Sequence, residues 1–310
     1  MEVVKGIYQI QSETPFRYSM NTYFIDDNKK CLIDTSVESY PQTLLAGLEK
    51  IGRHLTDLDY VLVSHPHSEH IGSLNYIKQA APHCQIVASP RCADYLANYE
   101  QYTQIAFQRI SSKIDRHLEV LLSIKSVKVD KIVKEGDVIN LGSRKLKVFE
   151  TSGHCAEEIS FYCEKSKILF SSDFIIGTEG ETWQAIYIGM LDYDGSRRKY
   201  LASLQKIVQL KERIRLILPA HGAIIKNPKE KIEGLLRIAP QIEESILKML
   251  EAGPKTFQDL IELAHGKKFQ EPEKFYAASR RMQVLLDYLL EEKRILKKHH
   301  LYFKIEAETE

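Results

Sequence analysis

A chain of 310 residues, 44% hydrophobic and 27% charged, can bury one large core or a large core plus a small companion; this excludes a disordered polymer and a mini-protein held by disulfides. Forty-three basic residues against 42 acidic ones leave a net charge of +1, so there is no global pull toward nucleic acid or an anionic membrane, and only a local basic patch stays open. The five cysteines, Cys31, Cys84, Cys92, Cys155 and Cys163, include no closely spaced pair of the zinc-knuckle or redox kind.

The N-terminal segment MEVVKGIYQIQ lacks a signal-peptide pattern, and no stretch has transmembrane length. The expectation is a cytoplasmic protein with reduced thiols and no membrane partner. Next along the chain, VVKGIYQIQ, NTYFID and KCLIDTSV are short, β-branched and bounded by polar turns, as strands are. YPQTLLAGLEKIG has helical spacing at Leu44, Leu45 and Leu48 and stops at Gly52, and LDYVLVSH follows as a buried strand. GSLNYIKQAAP reads as a helix and QIVAS as a strand. From about residue 91 to 122 the pattern is helical without proline or glycine inside, an insert of one or two helices carrying Tyr95, Tyr99, Tyr102 and Phe107.

Strands return in DKIVKEGDVINL, KLKVFETSGH and EISFYCEKSKILFSSD, then a helix in SRRKYLASLQKIVQLK and a strand in RLILPAHG. Two strand–helix halves, each ending in a polar cluster, predict an α/β sandwich of two packed sheets with helices outside. After Pro228 three helical stretches lead to RILKKHHLYFKIE, a hairpin or wing. The expected domains are therefore 1–228, with the insert, and a helical, winged-helix-like module over 229–310.

The strongest chemical signal is SHPHSEH, Ser64 to His70, on a short loop directly after the apolar run VLV. A loop lets His65, His67, Glu69 and His70 converge, whereas a straight strand would send alternate side chains to opposite faces. Neutral imidazole and carboxylate suit zinc and related divalent ions. A chance histidine cluster is the bland alternative. Against it, His154 after Gly153, Asp173 in SSDF and His221 in PAHG each stand where a strand ends, and strand ends on one sheet edge can meet in space.

The order His-x-His-x-acid-His, Gly-His, Ser-Asp, Ala-His-Gly resembles the metallo-β-lactamase superfamily over about residues 1–228, together with Asp34 in LIDT, which is similar to that family's structural aspartate. The resemblance implies an αββα sandwich and a dinuclear site. In it His65, His67 and His154 would hold one ion, Glu69, His70 and His221 a second, and Asp173 would bridge them. Zinc is the default, with iron and manganese compatible with the mixed donors. The chain departs from the family pattern at Glu69, where aspartate is usual, so the longer side chain bears on the second ion.

Such a site activates water and polarises a carbonyl or phosphoryl group, with Glu69 and Asp173 as the catalytic carboxylates. The C-terminal module resembles the lactamase-β-like hydrolases, some of which cut single-stranded RNA. The insert resembles that of the quinolone-signal response thioesterase. Balanced charge and an aromatic insert favour an ester or thioester of a small molecule over a basic RNA channel. A phosphodiesterase or endoribonuclease is the alternative, and a metal-containing binding or regulatory protein is a second. The oligomeric state, homo-oligomer included, stays open.

Trp183, Tyr187 and Tyr193 could line the pocket, and Cys155 could buttress His154, although packing roles are the plainer reading for all four. His54, His83, His117, His265, His299 and His300 fit no ligand pattern. Lys297–His300 with Arg280 and Arg281 could meet a phosphate backbone, but nearby acidic residues make a solvated face the simpler account.

Overall fold

The computed structural model describes residues 1–13, 19–37, 41–101, 124–156, 158–177, 195–266 and 272–305. By packing, the chain forms two compact units. The first comprises Met1–Thr151, Glu157–Thr178 and Glu212–Pro228; the second comprises Ser152–Ala156, Glu179–Lys211 and Lys229–Glu310.

In the first unit a seven-stranded sheet runs in chain order: β1 (Glu2–Val4), β2 (Ile7–Glu13), β3 (Ser19–Ile25), β4 (Cys31–Ile33), β5 (Tyr60–Leu62), β6 (Gln85–Ala88) and β7 (Lys131–Ile132). The expected single strand over VVKGIYQIQ is instead a hairpin, because Gly6 takes a left-handed φ of 74° and turns the chain between β1 and β2. From β4 onward pairing is parallel, and parallel neighbours need crossovers. Helices α1 (Gln42–Glu49), α2 (Ser68–Ile71), α3 (Leu74–Ala80) and α4 (Pro90–Ala97) provide them. β4 is buried along its whole length and β5 at Val61 and Leu62, which explains their continuous apolar sequence.

A five-stranded sheet follows, with order β12-β11-β10-β9-β8: β8 (Val138–Asn140), β9 (Lys145–Glu150), β10 (Ile159–Cys163), β11 (Ile168–Ser172) and β12 (Leu216–Pro219). β8 to β11 form an antiparallel meander, and β12 joins β11 in parallel. The two sheets share one core. Ile7, Tyr23, Ile33 and Leu62 of the first meet Leu146, Phe161, Phe170 and Leu218 of the second. Each such side chain contributes about 1.5–3 kcal/mol by leaving water. A separate core lies under the helices, with Leu44, Leu48, Ile71, Leu74, Ile77 and Leu96 against Leu32, Val61 and Ile86.

Asp27, 3% exposed in its side chain, clasps the sheets at their turns. Its carboxylate accepts bonds from Ser143 N, Ser143 Oγ and Arg144 N at 3.1, 2.9 and 2.8 Å.

The second unit contains α5 (Arg197–Val208), α6 (Pro228–Glu251, whose first residue belongs to the other unit), α7 (Phe257–His265) and α8 (Pro272–Glu291). It also has a three-stranded sheet ordered β13 (Lys255–Thr256), β15 (Leu301–Lys304), β14 (Ile295–Lys298). The expected wing is thus a three-stranded one, with β13 an unforeseen partner. Thr256 caps α7 reciprocally with Asp259. Leu260, Ile261, Leu285, Leu286, Leu289 and Tyr302 form its core. Arg197 is 1% exposed and pairs with Glu243 at 3.3 Å.

No helix among the described residues is long and apolar enough to cross a membrane. All five cysteines are buried. Tyr102, Phe107, His117, Trp183, Tyr187 and Tyr193 lie outside the described residues, as does most of the expected insert. Its first turns are α4, with Tyr95 and Tyr99 buried.

Candidate metal centre

The motif Ser64–His70 leaves β5 as a loop only as far as His67. Glu69 and His70 stand in the first turn of α2, not on the loop that the sequence suggested. Gly72 closes this helix in close contact with the main chain. A Cβ there would come within 2.4 Å of Val37 O and 2.6 Å of Ser36 O, so only glycine lets α2 sit down beside the segment after β4.

Asp173 follows β11, and His221 follows β12. Ser172, just before Asp173, has a left-handed φ of 50°, which turns the chain abruptly off the strand. Gly177 N donates to His221 O at 2.7 Å, which ties the two strand-end loops together.

The seven candidate ligands fall into two groups. His65, His67, His154 and Asp173 offer atoms that all lie within 4.8 Å of one another, as do Glu69, His70, Asp173 and His221. Asp173 belongs to both. All are buried except the half-buried His67. No other described histidine joins a potential metal group.

Neighbouring hydrogen bonds orient the imidazoles. Nδ1 of His70 lies 2.9 Å from Asp34 Oδ2, and Nδ1 of His221 donates to Ser19 O at 2.8 Å. Their Nε2 atoms consequently face Asp173 Oδ1, at 3.5 and 3.3 Å. Nδ1 of His65 lies 3.0 Å from Ser64 Oγ and 3.4 Å from Ser172 Oγ. Asp34 unites the contacts of His70 with those around His65. It accepts Ser64 N and Ser64 Oγ at 2.8 Å each, and its own φ of 57° is left-handed. A residue in that region persists because its surroundings over-determine it.

The electrostatics call for positive charge. Burial opposes a proton on His221, yet the carboxylates of Asp173 and Glu69 push its pKa up to about 9. Burial likewise opposes protonated His70, and Asp173 and Asp34 overcome it. Burial works against ionised Glu69, while His70, His67 and His221 bring its carboxyl below the ordinary range. Buried carboxylates and inward imidazoles are the donor set of a divalent cation. Nε2 of His70, buried and without a hydrogen bond among the described residues, fits such a ligand. The residues present therefore fit bound divalent metal.

The sequence reading missed Glu158. It is fully buried at the head of β10, and its Oε1 accepts Asp173 N at 2.9 Å. Burial, and next the charge of Asp173, push this carboxyl well above the usual range despite bonds from the Asp173 and Phe174 amides. The one signal available was an acidic residue abutting the mostly apolar run Ile159–Cys163. Tyr99 is buried and feels the charge of Glu69, its hydroxyl pushed upward by burial first and by that carboxylate second. Cys155 is fully buried.

Residues 17–221 match the metallo-beta-lactamase superfamily model, and the chain belongs to that superfamily. A beta-lactamase-like protein 2 homolog of Caenorhabditis elegans is 26% identical over 235 residues, 74% of this chain and 65% of the relative. Acyl-coenzyme A thioesterase MBLAC2 of Gallus gallus is 28% identical over 167 residues, 52% of this chain and 55% of the relative. The chain spans about half to two thirds of the length of these curated relatives. Among solved structures, a metallo-beta-lactamase family protein from Thermus thermophilus superposes with a TM-score of 0.80 at 18% identity, covering 98% of this chain and 100% of the other. This supports the fold, the C-terminal part included.

Proposed function

We propose that the chain is a dinuclear hydrolase acting on an ester or thioester of a small molecule. The observation that carries the reading is Asp173, a buried carboxylate shared by two converging ligand groups. His65, His67, His154 and Asp173 would hold one ion, and Glu69, His70, Asp173 and His221 the other. Two divalent ions so held, zinc by default, supply Lewis acidity toward a carbonyl and lower the pKa of water.

The chain's own residues do the rest. Asp34 keeps the Nδ1 proton on His70, and Ser19 O keeps that of His221, so both rings present a basic Nε2 inward. Burial of the carboxylates keeps bulk water away and strengthens their fields. Glu69, buried beside His70 and His221 in the same ligand group, can donate to the second ion or accept a proton from the attacking water. Its carboxylate lies within 4.8 Å of its partners, which supports a usable second site despite the longer side chain. On this reading residues 1–228 carry the chemistry, and the winged-helix-like module 229–310 does not.

The thioester assignment draws support from the thioesterase named among the relatives. The test is elemental analysis of untagged, chelator-free protein, followed by acyl-coenzyme A thioesters assayed beside phosphodiesters and single-stranded RNA, with Asp173→Ala as control. Two ions and thioester turnover lost in the variant are expected. Turnover on phosphodiesters or RNA alone would move the chain to the phosphodiesterase class. Full metal loading with no turnover would favour a binding or regulatory role.

A further inference from the structure

We infer that Glu158 is the positioning residue for Asp173, acting through the length of its side chain rather than its charge, so that it governs the affinity of both ions together. The inference rests on the dinuclear reading above.

Glu158 is anchored on both sides of its own main chain. Its carbonyl accepts Thr151 N at 2.8 Å, and the next amide, Ile159 N, donates to Ser64 O at 3.1 Å. The second of these bonds reaches the residue that precedes His65. From this fixed base the side chain extends to the turn after β11, where Oε1 accepts Asp173 N at 2.9 Å.

That turn needs an external support. Ser172 is left-handed, a conformation that a non-glycine residue holds only when its neighbours impose it. Phe174 N donates to Ser171 O at 3.1 Å and Ala220 N to Ser172 O at 3.0 Å, which fixes the two sides of the turn. The amide of Asp173, at its apex, is fixed by Glu158. Loss of that acceptor would leave a buried N–H unsatisfied, at a cost comparable to a hydrogen bond, and would free the peptide to rotate. The Asp173 carboxylate, carried on that peptide, would then leave the place where both ligand groups meet.

Most ligands here belong to one group, and so their loss weakens one ion. Glu158 belongs to neither ligand group but supports the one residue that both share. The expected signature is a joint loss of affinity, which separates positioning from ligation.

Two mild variants separate reach from charge. Glu158→Gln keeps the carbonyl oxygen at the same length and replaces the ionisable carboxyl by a neutral amide. Glu158→Asp keeps the carboxyl group and draws the acceptor back by one methylene. Zinc affinity is measured for both sites by competition with a chromophoric chelator, and the thermal midpoint of the metal-free proteins is recorded beside it. Outer-sphere partners of ligands typically govern about 10–100-fold in affinity, so Glu158→Asp should weaken both steps by about tenfold or more while Glu158→Gln stays within about threefold.

Unchanged affinities in both variants would overturn the inference, as would a fall confined to one step. A fall in Glu158→Gln but not in Glu158→Asp would assign the role to charge and overturn it equally. A lowered thermal midpoint in Glu158→Asp with both affinities intact would leave Glu158 a purely structural residue. Should the parent bind no zinc, the dinuclear reading itself fails, an outcome separate from all of these.

Discussion

Asp34 Oδ2 lies 2.9 Å from Nδ1 of His70, and this contact joins the end of β4 to the first turn of α2. A carboxylate behind an imidazole fixes its tautomer and raises its basicity as a ligand, an effect worth about 10–100-fold in metal affinity. Asp34→Asn tolerates the left-handed backbone but withdraws the charge. Zinc titration of the variant should show the weaker step shifted by about tenfold or more. An unshifted isotherm would mean that His70 does not act as a ligand.

Glu69 and Asp173 differ in what they share. Removal of Glu69 takes one carboxylate from one group, whereas removal of Asp173 takes it from both. Elemental analysis should therefore find close to one ion fewer in Glu69→Ala than in the parent, and a deeper loss in Asp173→Ala. Equal losses in the two variants would contradict the division into two groups.

Gly72 sets the seat of α2. The added methyl of Gly72→Ala would press on Val37 O and Ser36 O, which are main-chain atoms that cannot swing aside. Overpacking of this kind costs about 1–3 kcal/mol. Urea denaturation of metal-free protein should show that loss. Zinc affinity should fall as well, because Glu69 and His70 ride on the displaced helix. A variant as stable as the parent would show that the segment after β4 yields easily.

Asp27 predicts an acid-sensitive clasp. Burial would raise its carboxyl, but bonds from Asn28, Ser143 and Arg144 bring it below the ordinary value. A depressed folded pKa adds stability that is complete above the unfolded value of about 3.9 and disappears as pH falls through the folded value. Asp27→Asn should accordingly melt earlier than the parent at neutral pH, and the two should converge in strong acid. A gap that persists unchanged into strong acid would place the effect elsewhere than in this carboxylate.

Arg197 and Glu243 form a buried pair in the second unit. Removal of one partner strands the other charge, a loss of about 3–5 kcal/mol, whereas apolar replacement of both is often near neutral. Arg294 stands 3.7 Å from Glu243 and should hold the loss in Arg197→Met near the lower end. Denaturant curves for Arg197→Met, Glu243→Leu and the double variant should show the double variant recovering much of that stability. Strict additivity would argue against coupling between the two.

Much of the centre could be read directly because its chemistry is written locally. Four candidate ligands occupy six consecutive positions after an apolar run, and Asp173 and His221 each stand just past another such run. Hydrophobic pattern locates strand ends well, and parallel or meander pairing then brings those ends to one edge. What escaped the sequence was set by distant partners. Helix α2 is a single turn, too short for its periodicity to register, and its glycine is required by Val37 rather than by anything adjacent. β13 is two residues long and exists because β15 pairs with it. Glu158 sits beside another glutamate in CAEEIS and looks like a solvated turn until β11 brings the amide of Asp173 to it.

The candidate ligands of the first unit come from both sheets of the sandwich. His65, His67, Glu69 and His70 follow a strand of one sheet, while Asp173 and His221 follow strands of the other. Ions bound there would act as rivets between the two halves of the core, present only in the folded chain. Their contribution to stability grows with the logarithm of free ion concentration over the dissociation constant. Durability against heat and proteolysis would therefore not be a fixed property of the polypeptide. It would follow the metal supply of its surroundings, and a starved cell would clear the protein faster than a replete one.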